Sequence, residues 1–118
     1  MGEKPNIVRD KAYQFALKTI HLYRKLNKEN EFVISRQLIR ADTSIGANIE
    51  EATAAQSKKD FHSKMSIASK EARETQYWLR LLRDSSICER NEAEPLISDA
   101  DELIRLLTSI VKTTKKRI

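Results

Sequence analysis

Catalysis needs side chains that hold a proton, a metal or a leaving group, and this sequence offers few of them. Its two histidines are His21 and His62. A di-iron centre inside a helical bundle takes a Glu-x-x-His pair from each of two helices, plus two further carboxylates. Neither histidine follows a glutamate by three residues, so that chemistry is excluded. His62, next to Phe61, reads as a solvated side chain. The lone cysteine, Cys88, can form neither an intrachain disulfide nor a thiolate cluster. Its neighbour Glu89 raises a thiol pKa, the opposite of what a nucleophile requires. Carboxylates come together as Glu50-Glu51 and as Glu71 with Glu74, the latter at i, i+3 on one helix flank. Lys70, Arg73 and Arg80 lie near enough in sequence to pair with Glu71 and Glu74, which makes structural ion pairs the expected use. Glycine-rich phosphate loops, Walker sequences and zinc-hydrolase motifs are absent. The expectation is therefore a protein that is not an enzyme, with no metal and no cofactor.

Charge is the feature that remains. The chain has 22 Lys and Arg against 17 Asp and Glu, a net +5 that leans toward polyanions. At about 100° per residue, Lys59, Lys70, Arg73, Tyr77 and Arg80 project from one sector of a single helix. Arg105, Lys112 and Lys116 line a second stripe further along, extended by Lys115 and Arg117. Cations interleaved with a tyrosine suit phosphate contact plus base stacking. The plainer alternative is a solvated ridge balanced by Glu74 and Asp84. Ile67, Trp78 and Leu81 occupy a different sector of the same helix, off its core seam. Extra apolar residues of this kind suggest a second contact surface, and Trp is a favoured interface anchor. Thr43, Gly46 and Ala47 give another helix a small-faced side that a neighbouring subunit could approach. Together these residues point to self-association; otherwise Trp78 caps the core of one chain.

The elements that carry these side chains follow from apolar spacing. Only two Gly and two Pro occur in 118 residues, so the interior is nearly free of helix breakers. The first helix is expected over residues 6–28, with Val8, Ala12, Phe15, Thr19, Leu22 and Leu26 as its seam and Ala16, Ile20 and Tyr23 widening it. The second covers 31–54, with Ile34, Leu38, Ala41, Ile45, Asn48 and Ala52 in the seam. Gly46 there costs about 1 kcal/mol against Ala and hints at a close helix approach. Asn48, as a seam amide, needs partners and would fix register or oligomeric state. Ser57 caps the third helix, which runs to about residue 86 through Phe61, Met65, Ala68, Ala72, Thr75, Leu79 and Leu82. Asn91 with Glu94 reads as a capping box opening the fourth, with Pro95 in its first turn. Its seam is Leu96, Ala100, Leu103, Leu107, Ile110 and Thr114. Four long helices with short polar links fold most simply as an all-α, antiparallel up-and-down four-helix bundle, a single domain over residues 1–118. With no signal peptide, long apolar run or lipidation motif, the expected place is the cytoplasm, without membrane contact.

One stretch is more specific than any pattern. Residues 37–52, from Gln37 through Arg40-Ala41-Asp42-Thr43-Ser44-Ile45-Gly46-Ala47-Asn48-Ile49-Glu50-Glu51-Ala52, resemble the signature of the bacterial four-helix-bundle family encoded in intervening sequences of 23S ribosomal RNA genes. Ser57-Lys58-Lys59-Asp60-Phe61 and the run from Lys70 to Leu82 are similar to its third helix. The resemblance implies the same bundle, assembly into a ring-like homopentamer, and kinship with retroelement accessory proteins whose basic surfaces bind nucleic acid and a reverse transcriptase. The expected function is a homo-oligomeric nucleic-acid-binding or RNA-associated accessory protein, contacting RNA or DNA without sequence specificity. The alternative is an oligomeric scaffold that binds a protein partner without nucleic acid.

Overall fold

The computed structural model describes the backbone of residues 4–118 and the side chains from Ile7 onward. It consists of α1 (Lys4–Lys28), α2 (Val33–Thr53), α3 (Lys58–Asp84) and α4 (Arg90–Lys115), with no strand among the described residues. A helix of 26 residues is about 39 Å long at 1.5 Å per residue, which accounts for the long dimension of a body measuring 46 × 20 × 19 Å. Each helix packs on its neighbours in sequence, α1 also packs on α4, and neither diagonal pair touches. The antiparallel up-and-down bundle is the fold. None of these helices is long and apolar enough to cross a membrane.

The expected seams form the core. Phe15 and Leu26 of α1, Leu38 and Ile45 of α2, Met65 and Leu79 of α3, and Leu103 and Leu107 of α4 are fully buried together. Two details of packing differ from the expected pattern. In α2 the buried line runs through Asp42 and Ile49, while Asn48 is only half-buried. In α1 Ile20 lies outside the core at 36% exposure, because α1 meets only α2 and α4 and that side of it has no neighbour.

The helix ends show how local chemistry sets the boundaries. Asn30 takes a left-handed conformation after α1 (φ 65°), and the Glu31 N–H donates to the Leu26 carbonyl at 2.9 Å, closing a Schellman-type turn. The Glu31 carboxylate then accepts from the N–H groups of Val33, Ile34 and Ser35 at 3.2, 3.0 and 2.7 Å, satisfying the first turn of α2. Ser57 caps α3 as expected, accepting from the Asp60 N–H at 3.0 Å. The Asn91–Glu94 capping box does not form. Buried Cys88 donates its N–H to the Leu82 carbonyl at 3.0 Å, which anchors the loop. The chain then enters α4 at Arg90, with Glu89 at the N-cap and no side-chain cap. Asn91 is already helical, and Pro95 is the sixth helical residue rather than part of the first turn. Pro95 has no N–H to give the Asn91 carbonyl; both residues are exposed, so water can take its place.

Candidate nucleic-acid interface

On α3, Lys59, Lys70, Arg73, Tyr77 and Arg80 are all exposed. Their surroundings differ from the expected pairing. Glu71 and Glu74 face α2, and both engage Arg40: Glu71 at 3.6 Å and Glu74 in a direct contact with the other guanidinium nitrogen. Asp84 is bound by the adjacent Arg83, which holds its carboxyl below the usual carboxylate range. Glu71 and Glu74 are therefore committed to Arg40, while Asp84, bound to Arg83, still lies in the field of Arg80. Among the described residues Lys59, Lys70 and Arg80 form no ion pair, and Arg73 donates to a neutral partner, the Thr108 hydroxyl of α4, at 3.0 Å. Lys112 and Lys116 on α4 are likewise exposed and unpaired among the described residues, whereas Arg105 is taken by Asp101 one turn before it.

Tyr77 is 49% exposed, and its ring meets Trp78 edge-to-face with centroids 5.1 Å apart. Trp78 donates its indole N–H to Glu74 at 3.0 Å and packs against the core. Arg40, Glu74, Trp78 and Tyr77 thus form a relay that fixes the exposed ring. It runs from α2 to α3, and the sequence spacing gave no sign of it.

The apolar residues expected at a subunit interface divide. Ile67, Trp78 and Leu81 are half-buried on α3, whereas Thr43 and Ala47 are exposed on α2. The open apolar face is on α1, where Tyr13, Leu17 and Ile20 are 63%, 47% and 36% exposed. Their spacing of four and three was readable in the sequence as a second stripe opposite the core seam.

Two other groups lie where the sequence did not place them. His62 is half-buried, its Nδ1 at 2.7 Å from the Thr114 hydroxyl of α4, rather than solvated. Asn48 donates its amide to the Ser44 carbonyl at 2.8 Å and to the Ser44 hydroxyl at 3.1 Å, both within its own helix. A cross-helix seam amide is therefore not what it provides within one chain. Gly46 has nothing within 4 Å of where a Cβ would sit, so no helix approaches it closely.

The charged group buried in the α2 seam is Asp42, with no exposed surface. Neither of its carboxylate oxygens has a hydrogen-bond partner among the described residues, nor does the hydroxyl of equally buried Thr19. Desolvation pushes the Asp42 carboxyl up to about 7, and the Thr19 hydroxyl on α1 only partly opposes that shift. Cys88 is also buried; desolvation, then the nearby Glu92 carboxylate, push its thiol up to about 11. No three His, Cys, Asp or Glu side chains among the described residues are grouped to hold a metal.

The arrangement is that of an all-α four-helix bundle. The chain belongs to the 23S rRNA-intervening sequence protein family, whose model matches residues 4–109. It is similar to a crystal structure of a protein of unknown function from the S23 ribosomal protein family of Bacteroides thetaiotaomicron. Identity is 48% over 92% of this chain and 98% of that one, with a TM-score of 0.88. None of the curated proteins matches it.

Proposed function

We propose that this chain is a non-enzymatic, homo-oligomeric cytoplasmic protein that binds single-stranded nucleic acid without sequence specificity. The carrying observation is the set of exposed cations without carboxylate partners: Lys59, Lys70 and Arg80 on α3 with Lys112 and Lys116 on α4. Arg73 joins them, since a hydroxyl partner leaves its charge uncompensated. Tyr77, held by Trp78, offers a ring for a base to stack on. Arg105 belongs to Asp101 and contributes less. The family name associates the gene with ribosomal RNA, which favours RNA as the polyanion.

Self-association rests on the α1 stripe. A chain with Tyr13, Leu17 and Ile20 open on one helix face gains by covering them with a second copy. Thr43 and Ala47 on adjacent α2 would let that copy approach. Trp78 packs partly on the core of its own chain, while half-buried Ile67 and Leu81 beside it remain available to the same contact; a ring of five copies is the assembly the family resemblance suggests.

The test is a salt titration. For single strands log K falls with log salt by about 0.7 per phosphate neutralised, so four engaged cations give a slope near −3 per subunit. Arg73→Gln with Arg80→Gln should lower both affinity and slope while helical content stays unchanged. Tyr77→Ala should lower affinity and leave the slope alone, because stacking releases no counterions. If the protein fails to bind RNA or DNA at tens of micromolar near physiological salt, the scaffold reading replaces this one.

A further inference from the structure

At the end of the bundle where α2 finishes, α3 begins and α4 finishes, the helices leave a cleft of about 310 Å³. Ala52, Ala55 and Phe61 give it an apolar wall, and Ser57, Lys58 and Arg117 give it a polar rim. Its size is at the lower end of small-molecule sites, which run from about 300 to 1,000 Å³. That is room for one nucleotide and not for a run of them.

The side chains around this end lean positive, offsetting the carbonyl ends of α2 and α4 that also finish here. Lys58, Lys59, Lys112, Lys115, Lys116 and Arg117 are exposed here and form no ion pair among the described residues. The acidic groups nearby are mostly engaged: Glu50 with Arg9 at 4.0 Å and Glu51 with Lys64 at 3.0 Å. Asp60, in the first turn of α3, accepts the Gln56 N–H at 3.3 Å. Its charge disfavours an anion on its own side and leaves the Lys58–Arg117 side open. A phosphodiester in a strand carries one negative charge, whereas a terminal phosphomonoester carries about −1.5 to −2 near pH 7. Two cations at the mouth of an apolar-walled cleft therefore favour a strand end over a strand interior, and a guanidinium can hold such a phosphate through two parallel bonds.

We propose that this cleft binds the terminal nucleotide of a single strand, with its phosphomonoester between Lys58 and Arg117 and its base against Phe61 and Ala55. The proposal rests on the nucleic-acid reading above and deepens it: α3 tracks the strand, and the cleft at its start holds the strand's phosphorylated end.

The experiment compares four single-stranded RNAs of one sequence and length, each carrying an internal fluorophore: 5′-phosphorylated, 3′-phosphorylated, unphosphorylated and circular. Anisotropy titrations should show at least one phosphorylated arm binding about tenfold more tightly than the unphosphorylated and circular strands, the factor expected of one charge-assisted hydrogen bond. Whichever phosphorylated arm shows the preference identifies the end. Lys58→Gln should abolish the preference while changing circular-strand affinity no more than about fourfold near physiological salt, the loss of one phosphate contact. Ala55→Trp, which fills the cleft without altering charge, should abolish it too. Equal affinity for all four strands would overturn the cleft and leave the broader reading standing. Binding to none of them would overturn both.

Discussion

Helices α1 and α3 stand diagonally across the bundle, have similar lengths and are both rich in lysine and arginine, yet the bundle treats them in opposite ways. The lysines of α1 at seven-residue spacing, Lys11, Lys18 and Lys25, each reach a carboxylate of α4: Glu102, Asp99 and Glu92. Beside them α1 leaves the apolar Tyr13, Leu17 and Ile20 open to solvent. Lys64 and Arg83 of α3 are paired, with Glu51 and Asp84, but Lys59, Lys70, Arg73 and Arg80 look outward without an ion pair, while Glu71 and Glu74 on its flank answer Arg40 of α2 instead. Beneath the surface the contrast continues. α3 buries Met65, Ala68, Ala72 and Leu79, while α1 lies over the unpartnered carboxyl of Asp42 through Thr19. Identical residue types thus serve as cross-links on one helix and as a free positive face on the other. Net charge says nothing of which helix is which; the neighbour's carboxylates decide it.

The sharpest way to probe the α1 side is through Asp42. Its native carboxyl titrates near 7 while the unfolded one titrates near 3.8. Below about pH 4 both states hold the proton and the bundle has its full stability. Between the two values the native state alone keeps the proton, so stability should fall as pH rises, and the loss should be complete above pH 7. A shift of this size corresponds to up to about 4 kcal/mol. Asp42→Asn should recover most of that at pH 8 and flatten the pH profile. Urea denaturation between pH 4.5 and 8 checks it; a wild-type profile that is already flat would remove the account.

Next in size is assembly. Leu17→Asp places a charge in the centre of the α1 stripe and should reduce the mass seen by light scattering at micromolar concentration to that of one chain, 13.6 kDa. Trp78→Ala should instead act chiefly on stability, because Trp78 packs on the core of its own chain. Dissociation by Trp78→Ala with no effect from Leu17→Asp would reverse the roles given to the two helices.

A smaller effect is expected at Gly46. With open space where its Cβ would sit and no positive φ, Gly46→Ala should stabilise the bundle by about 1 kcal/mol through helix propensity alone. That is a rise of about 4 °C in the thermal midpoint. A loss of stability would mean that something packs on Gly46, which in the assembled protein could only be another copy.

Smallest of all is Lys18→Gln. Exposed ion pairs contribute at most about 1 kcal/mol, so losing the 3.1 Å contact with Asp99 should barely move the denaturation midpoint. RNA affinity should also hold, since this cation is already answered. A fall in affinity matching that of Arg80→Gln would erase the distinction between the two helices.

Periodicity in the sequence determined the four helices and most of the core, because burying one face of a helix demands apolar residues at three- and four-residue spacing regardless of what lies opposite. The outward direction of Lys59, Lys70, Arg73, Tyr77 and Arg80 was equally legible, since it depends only on position around one helix. The phase of α2 was legible too, with Leu38, Ala41, Ile45 and Ala52 buried and Asn48 partly buried with its amide hydrogen-bonded, but the burial of Asp42 was concealed because a carboxylate is not expected in a core. What the tertiary structure alone decided was pairing. Arg40 capturing Glu71 and Glu74, the lysines of α1 reaching α4, and Lys58 meeting Arg117 at one cleft all join residues far apart in sequence. A charge acts over a few ångströms, and only the packed bundle determines which charges come that close.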